Sequence, residues 1–397
     1  MIKHLIKIVW NRKRANFLIA LEIFFSFLVL FAVMVQAVYY TDNYRQPLGF
    51  SYENVWNVGI DMKQTSDDYH SPEQVETVRQ LYLALREFDE VVATAGVHTQ
   101  LFSFGGSFGG FRIGGREIEY RSNEVTDDFD KVTGLTLARG RWFSKEDDGV
   151  NWSPRVINQR LAREIFGDED PVGKRIPEAE GRTEMRVIGV VTDFRLGGEF
   201  ADSENVVFQR RNLNNPQERP PRNLLVKLRP GVTRAFEEKL ATRLHAVAKG
   251  WSFEIKPVVE LRDEAFQRRL IPIIVVGVIA AFLMIMVALG LTGVLWLNVT
   301  QRTKEIGLRR AKGATARRIY QQILGELFVI TSFGLLIGVL VVIQFPLLDV
   351  IGWISAKVYA WSIIISVAVI YLLTTICGLY PSRLATKVQP AEALHYE

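Results

Sequence analysis

Four long apolar runs constrain the fold of this chain more than any other feature of its sequence. They cover residues 17–38, 271–298, 327–345 and 358–380. A helix needs roughly 20 apolar residues to cross the hydrocarbon core of a bilayer. We therefore predict a membrane protein with a transmembrane helix at each run and a long hydrophilic stretch after the first.

Basic residues cluster next to these runs. Five Lys or Arg precede the first run, two follow the last, and seven lie in residues 301–320 beside a single acid. Because Lys and Arg resist translocation, these segments are predicted to be cytoplasmic. Residues 41–270 carry 33 Lys or Arg against 37 Asp or Glu, a net charge of −4. The overall charge of +5 therefore does not indicate nucleic-acid binding, which requires a basic patch on the soluble part.

The predicted fold class is an α-helical membrane protein with four transmembrane helices plus an α+β extracytoplasmic domain inserted between the first and second. The first apolar run is too long for a cleaved signal peptide, so we expect an uncleaved anchor. The chain then divides into a basic N-terminal segment (1–16), a first span (17–40), the outer domain (41–270), a second span (271–298), a cytoplasmic loop (299–320), a third span (321–345), an outer loop (346–357), a fourth span (358–380) and a cytoplasmic tail (381–397).

The outer domain is predicted to contain two βαβ-like halves. Alternating apolar residues at 56–62 indicate a strand. Ser71, followed by Pro72 and Gln74, then indicates a capped helix, and a return strand follows at 91–97.

The second half repeats this order, with a strand at 224–228, a helix ended by Gly250 and a strand at 251–255. Residues of about 99–222 are inserted between the halves. A helix at 258–270 is predicted to continue into the second span, which gives a rod of ~60 Å at ~1.5 Å per residue.

A glycine-rich stretch, 102–115, opens the insert. It fits no phosphate-binding motif, and we expect a hairpin that either packs its own aromatic residues or presents Phe side chains to a partner. Residues 167–174 also fail the Walker pattern, because five residues separate the glycines and Arg175 replaces Ser/Thr. The single cysteine, Cys377, and five scattered histidines indicate no disulfide and no metal site. We expect no catalytic residue on this chain.

The basic loop carries the strongest local pattern. Gly313 is predicted to end a short helix in a left-handed conformation, and Thr315 to cap the next helix. The sequence EIGLRRAKGAT resembles the loop between the second and third spans in permeases of the FtsX/MacB superfamily of ABC transporters. VTGLTLARGRWFSKED, VIGVVTDFR and the C-terminal PSRLATKVQPAEALHYE are similar to other parts of MacB-type permeases. The resemblance implies the ATPase-coupling residues Glu305, Gly307, Arg309, Arg310, Gly313, Ala314 and Thr315.

The resemblance also implies partners. The chain would hold no cofactor, while a separate cytoplasmic ABC ATPase subunit would bind ATP and Mg. MacB itself carries its ATPase on the same chain, whereas this sequence begins with the anchor. A second permease copy or a paralogue would complete a dimer in the bacterial inner membrane, in contact with lipid. A periplasmic adaptor and an outer-membrane duct would receive a hydrophobic molecule, peptide or lipoprotein. The alternative is an FtsX-like regulator that activates a cell-wall hydrolase.

Two carboxylates, Glu22 and Glu326, lie about one turn inside predicted spans. An ionisable residue inside a membrane is a functional hypothesis by default. Near a helix end, however, a carboxylate also reaches the interface or a basic neighbour. Both interpretations stay open.

Overall fold

A computed structural model describes residues 13–62, 71–177, 183–301, 303–348 and 354–387. The N-terminal basic residues Lys3 and Lys7, and the C-terminal part of the family-like ending, lie outside these ranges. The chain forms two compact units: an outer unit, residues 43–269, and a helical unit made of the chain before and after it.

Outside the insert, the elements follow the order predicted from the sequence. The helices are α1 (Lys13–Tyr44), α2 (Pro72–Leu85), α3 (Phe129–Thr133), α4 (Gln159–Phe166), α5 (Ala235–Val247), α6 (Val258–Gln301), α7 (Thr303–Ala311), α8 (Ala316–Val342), α9 (Gln344–Leu347) and α10 (Ala356–Lys387). The strands are β1 (Val55–Asp61), β2 (Val91–Val97), β3 (Ser107–Ile113), β4 (Arg116–Val125), β5 (Leu137–Gly140), β6 (Ser153–Asn158), β7 (Met185–Val191), β8 (Val206–Arg210), β9 (Asn223–Leu228) and β10 (Ser252–Pro257).

The two predicted halves of the outer unit interleave in one sheet. The strand order there is β10-β1-β9-β2, and each neighbouring pair is antiparallel. Each half is therefore a split βαβ unit, with a strand of the other half between its own two strands. Helices α2 and α5 pack on this part of the sheet through a shared apolar cluster that includes Val78, Leu81 and Leu240.

The local predictions in this region hold, with one correction. Ser71 forms the full capping box with Gln74 and has proline at the first helical position. Helix α5 ends at Val247 and not at Gly250 as predicted. Gly250 has a φ of 83° and belongs to the turn that leads into β10.

The inserted residues extend the same sheet. Strand β4 joins β2 through the pair Val97 and Val125, and the order continues β4-β8-β6-β7-β5. A core rich in aromatic side chains lies under this region. Its aromatic members are Phe50, Phe102, Phe129, Trp142, Phe143, Phe194 and Phe208.

The glycine-rich stretch forms a hairpin, as predicted. Strand β3 pairs with β4 across a turn at Gly114 and Gly115, whose φ angles are 58° and 81°; two successive positive φ values are typical of tight hairpin turns. Phe111 is buried and stacks on Tyr120 at 4.3 Å between ring centroids. Phe108, in contrast, is 66% exposed. The hairpin thus packs one aromatic residue itself, and a partner contact of Phe108 stays a prediction.

Among its described residues, the helical unit has four helices that are long and apolar enough to cross a membrane. The protein is therefore a multi-pass membrane protein, with the α/β domain between its first and second spans. Helix α8 lies close to α1, since a Cβ atom added at Gly338 would be 2.5 Å from the Phe27 ring. Helix α8 also packs on α10, where a Cβ at Gly378 would be 2.9 Å from Leu324 and Leu327.

Candidate coupling site

The turn after α7 has the geometry predicted from the sequence. Gly313 adopts a left-handed conformation with a φ of 89°. The amide of Ala314 donates to the carbonyl of Arg309 at 3.0 Å. This bond, together with the left-handed glycine, defines a Schellman motif. The predicted helix stop at Gly313 is confirmed.

Helix α8 begins with the predicted cap. Thr315 has extended backbone angles, with φ −73° and ψ 151°, and its hydroxyl accepts from the amide of Arg318. The cap satisfies one of the amide groups that a helix start leaves free. The chain therefore reverses between α7 and α8 through two consecutive, well-defined local structures.

A small apolar cluster fixes this reversal to the ends of two spans. Val299 at the end of α6, Ile306 on α7 and Ile319 on α8 are each buried to 94% or more and contact one another. Ala314 and Ile323 pack against them. The turn is therefore packed directly against the ends of α6 and α8.

The opposite side of the turn faces outward and is basic. Lys312, Arg317 and Arg318 are exposed, and so are Gly313 and Thr315. Leu308 adds an apolar contact point, with 48% of its surface exposed. Several cations around one exposed leucine are suited to an acidic groove on a protein partner.

A chain of hydrogen bonds connects α7 with the third span. The guanidinium of Arg309 donates to the side-chain oxygen of Gln322. The amide nitrogen of Gln322 donates in turn to Oε1 of Glu326 at 2.9 Å. Glu326 is only 8% exposed. Arg309 and Glu326 were chosen from the sequence for separate reasons. The structure connects them by hydrogen bonds through Gln322.

Gln322 was not predicted as a site residue, although the sequence contains a signal for its contact with Glu326. It precedes Glu326 by four residues, the spacing at which side chains meet on a helix. Of the remaining predicted residues, Gly307 is buried on α7. Glu305 and Arg310 are also residues of α7, but their side chains lie outside the described part of the structure.

Glu22 has a different neighbour. Its carboxylate lies against α6 at Gly290, where an added Cβ atom would be 2.2 Å from Oε1. The hydroxyl of Ser26 donates to the backbone carbonyl of Glu22. Gly290 was also missed, and its signal is a small residue inside an apolar span, which permits close helix approach. Within the described ranges, no group of three or more His, Cys, Asp or Glu residues is arranged to hold a metal ion.

The described residues thus combine four candidate spans, an outer domain after the first, and a structured turn between the second and third. The chain belongs to the MacB/FtsX-type family of ABC transporter permeases. The model of the MacB-like periplasmic core domain matches residues 20–243. The model of the FtsX-like permease C-terminal domain matches residues 277–390.

Individual proteins are also similar to this chain. The macrolide export ATP-binding/permease protein MacB of Bdellovibrio bacteriovorus is 29% identical over 293 residues, which are 69% of this chain and 43% of that protein. This chain thus spans less than half of that relative. The uncharacterised ABC transporter permease YknZ of Bacillus subtilis is 26% identical, over 71% of each chain. The solved periplasmic region of MacB from Actinobacillus actinomycetemcomitans is 16% identical, with a TM-score of 0.39 over 54% of this chain and 92% of that one.

Proposed function

We propose that this protein is the permease subunit of a MacB-type ABC transporter. A separate cytoplasmic ATPase subunit, which binds ATP and Mg, presses on the turn between α7 and α8. The permease converts that displacement into movement of its outer domain. The cargo is a hydrophobic molecule, a peptide or a lipoprotein, exported or extracted at the outer side of the membrane.

The observation that carries this proposal is the hydrogen-bond chain from Arg309 through Gln322 to Glu326. It gives the exposed turn a polar connection to a buried position of the third span, beside the apolar contact of Ile306 with Val299. A flexible positive-inside loop requires neither connection. Force applied at Gly313 therefore reaches α8 through hydrogen bonds and α6 through packing.

Helix α6 is the element that carries the movement outward. It is one helix of 44 residues, or ~66 Å at ~1.5 Å per residue, and includes residues of both units. Of its most apolar 18 residues, only 6% are buried within the chain, against 44% for the corresponding stretch of α8. We infer that a second permease copy or a paralogue covers part of α6 in a dimer.

The proposed orientation places both termini and the basic turn in the cytoplasm of a bacterium, with residues 41–270 in the periplasm. The basic turn supports it, because cytoplasmic loops carry an excess of Lys and Arg. A periplasmic adaptor and an outer-membrane duct are the proposed receivers of the cargo. Reporter fusions within the outer unit test the orientation, and cytoplasmic signals from them would overturn it.

The coupling test compares two glycine substitutions of equal intrinsic strain. Gly313 and Gly231 have φ angles of 89° and 90°, and a Cβ atom at either would meet nothing within 4 Å. A left-handed conformation costs a non-glycine residue about 1–2 kcal/mol. Gly313→Val distorts the proposed ATPase contact, whereas Gly231→Val strains a turn of the outer unit.

ATP hydrolysis is measured with the ATPase subunit that co-purifies with the tagged permease in lipid nanodiscs. We expect Gly313→Val to lose the stimulation that the permease gives to the ATPase, and Gly231→Val to keep it. Equal stimulation by both variants would contradict the coupling role. Co-purification of a peptidoglycan hydrolase in place of an adaptor or duct would favour the regulatory alternative.

A further inference from the structure

An elongated apolar pocket of about 520 Å³ lies within the helical unit. Seven residues of α1, from Leu28 to Tyr40, line one side of it, and residues of α8, α9 and α10 line the other. Its volume is within the range of ~300–1,000 Å³ that is usual for small-molecule sites. The coupling site does not use this pocket, since none of its lining residues belongs to α7 or to the turn after it.

The length of the pocket matches one leaflet of a membrane. From Leu28 to Tyr40, the lining residues of α1 are separated by 12 steps along the helix, or ~18 Å at ~1.5 Å per residue. Half of a hydrocarbon core of ~30 Å is ~15 Å. The pocket occupies the end of α1 that leads to the outer domain, so its assignment to the outer leaflet rests on the proposed orientation.

The polarity of the pocket changes along its length. Leu28, Phe31 and Val35 line the end near the middle of α1, whereas Gln36 and the adjacent tyrosines line the other end. The rings of Phe31 and Tyr359 stack at 6.2 Å between centroids, and both residues line the pocket. Such a lining suits the tail of an amphiphile.

Two opposite charges follow at the polar end. Nζ of Lys357 lies 3.0 Å from Oδ1 of Asp42. Asp42 is two residues beyond Tyr40, and Lys357 is two residues before Tyr359, so the pair belongs to two of the helices that line the pocket, α1 and α10. The Lys357 side chain is 69% exposed and remains accessible to a ligand.

We propose that the pocket binds one acyl chain of a zwitterionic phospholipid, whose head group lies at Asp42 and Lys357. The lipid phosphate contacts Lys357 and the cationic group contacts Asp42. The ion pair between Asp42 and Lys357 is thus replaced by two ion pairs, each between a protein group and a lipid group of opposite charge. The site carries no net charge. The bound acyl chain of the lipid fills the space between α1 and α10 that the side chains of the protein leave open.

Native mass spectrometry of the full-length protein tests the proposal. After extraction in a delipidating detergent, we expect the wild type to retain one phospholipid per chain. Ala32→Trp fills the pocket and should abolish retention. Val29→Trp is the matched control: it adds the same side chain to the same helix, at a residue that is 37% exposed and does not line the pocket.

Retention by Ala32→Trp equal to that of the wild type would overturn the proposal, and so would a wild type without bound lipid. An acylated peptide in place of a phospholipid would also overturn it. The exposed substitution Lys357→Gln provides a test that does not depend on core packing. It should weaken retention of zwitterionic lipid several-fold, and unchanged retention would contradict the head-group assignment. These measurements need no ATPase, so failure of the lipid site and failure of the coupling proposal are distinguishable.

Discussion

The outer unit and the helical unit stabilise their folds in different ways. The described part of the outer unit forms one ten-stranded sheet and a core rich in aromatic side chains. The helical unit relies on close helix contacts at glycines such as Gly334 and Gly338, and leaves most of α6 uncovered. Water penalises exposed apolar surface, whereas lipid does not. The outer unit must therefore complete its own core, while the helical unit can leave surfaces for lipid, for a second permease and for movement.

Buried polar groups show the same difference. Arg195 of the outer unit is 1% exposed. Its guanidinium donates to the carbonyls of Asn43 at 2.6 Å and Gln46 at 3.2 Å, and also to those of Glu199 and Ala201. It thereby joins the start of the outer unit to the loop after β7. In the helical unit, the hydrogen bonds that link Arg309, Gln322 and Glu326 instead connect the interior with an exposed contact surface.

Removing the Arg195 side chain should have the largest effect on stability. Arg195→Ala leaves four backbone carbonyls without their charged donor and opens a cavity. A hydrogen bond to a charged group contributes roughly 1.5–3 kcal/mol, so we expect a loss of about 3 kcal/mol or more. The measurement is thermal unfolding of the full-length protein, followed by near-UV circular dichroism.

Arg186→Ala is the control for this change. Arg186 also lies in the outer unit, but its side chain is 43% exposed and pairs with Glu184 at 2.6 Å. An exposed ion pair contributes about 0–1 kcal/mol. Similar unfolding temperatures for the two variants would show that the bonds of Arg195 do not hold the outer unit together.

The second prediction concerns the close contact between α1 and α8. Gly338→Leu places a side chain where even a Cβ atom would be 2.5 Å from the Phe27 ring. Overpacking of this kind costs about 1–3 kcal/mol, and we expect about 2 kcal/mol, measured as a lower unfolding temperature in detergent. At Gly293 of α6, a Cβ atom would meet nothing within 4 Å. Gly293→Leu should be neutral, and equal destabilisation by both variants would contradict the difference between these helices.

Local features could be predicted from the sequence because their causes are local. The four spans follow from apolar length, the capping box at Ser71 from four adjacent residues, and the stop at Gly313 from one glycine and its neighbours. The turn and cap of the candidate site were predicted for the same reason. Their role in coupling stays a proposal.

The features that were missed depend on residues far apart in the chain. Arg195 gives no local sign of its bonds, since two of its acceptors precede it by about 150 residues. The interleaving of the two halves requires β9 to enter between β1 and β2, which strand periodicity does not encode. Gly290 faces Glu22 only because α1 and α6 meet.

The smallest expected effect is a pH dependence at the edge of the outer unit. Burial alone would raise the pKa of Asp147, but its bonds to Arg141 and to the amide of Ser144 outweigh burial and keep the pKa below its usual value. The resulting stability is present above the unfolded pKa of about 3.9 and is lost as pH falls through the folded pKa. Asp147→Asn should therefore lower the unfolding temperature at about pH 6 and have little effect at a pH below the folded pKa, where Asp147 is itself protonated. Glu146→Gln is the control: this side chain is 80% exposed and lies near the same arginine, so the substitution should leave the unfolding temperature unchanged at both pH values. An effect of Asp147→Asn that does not depend on pH would refute the ionic origin.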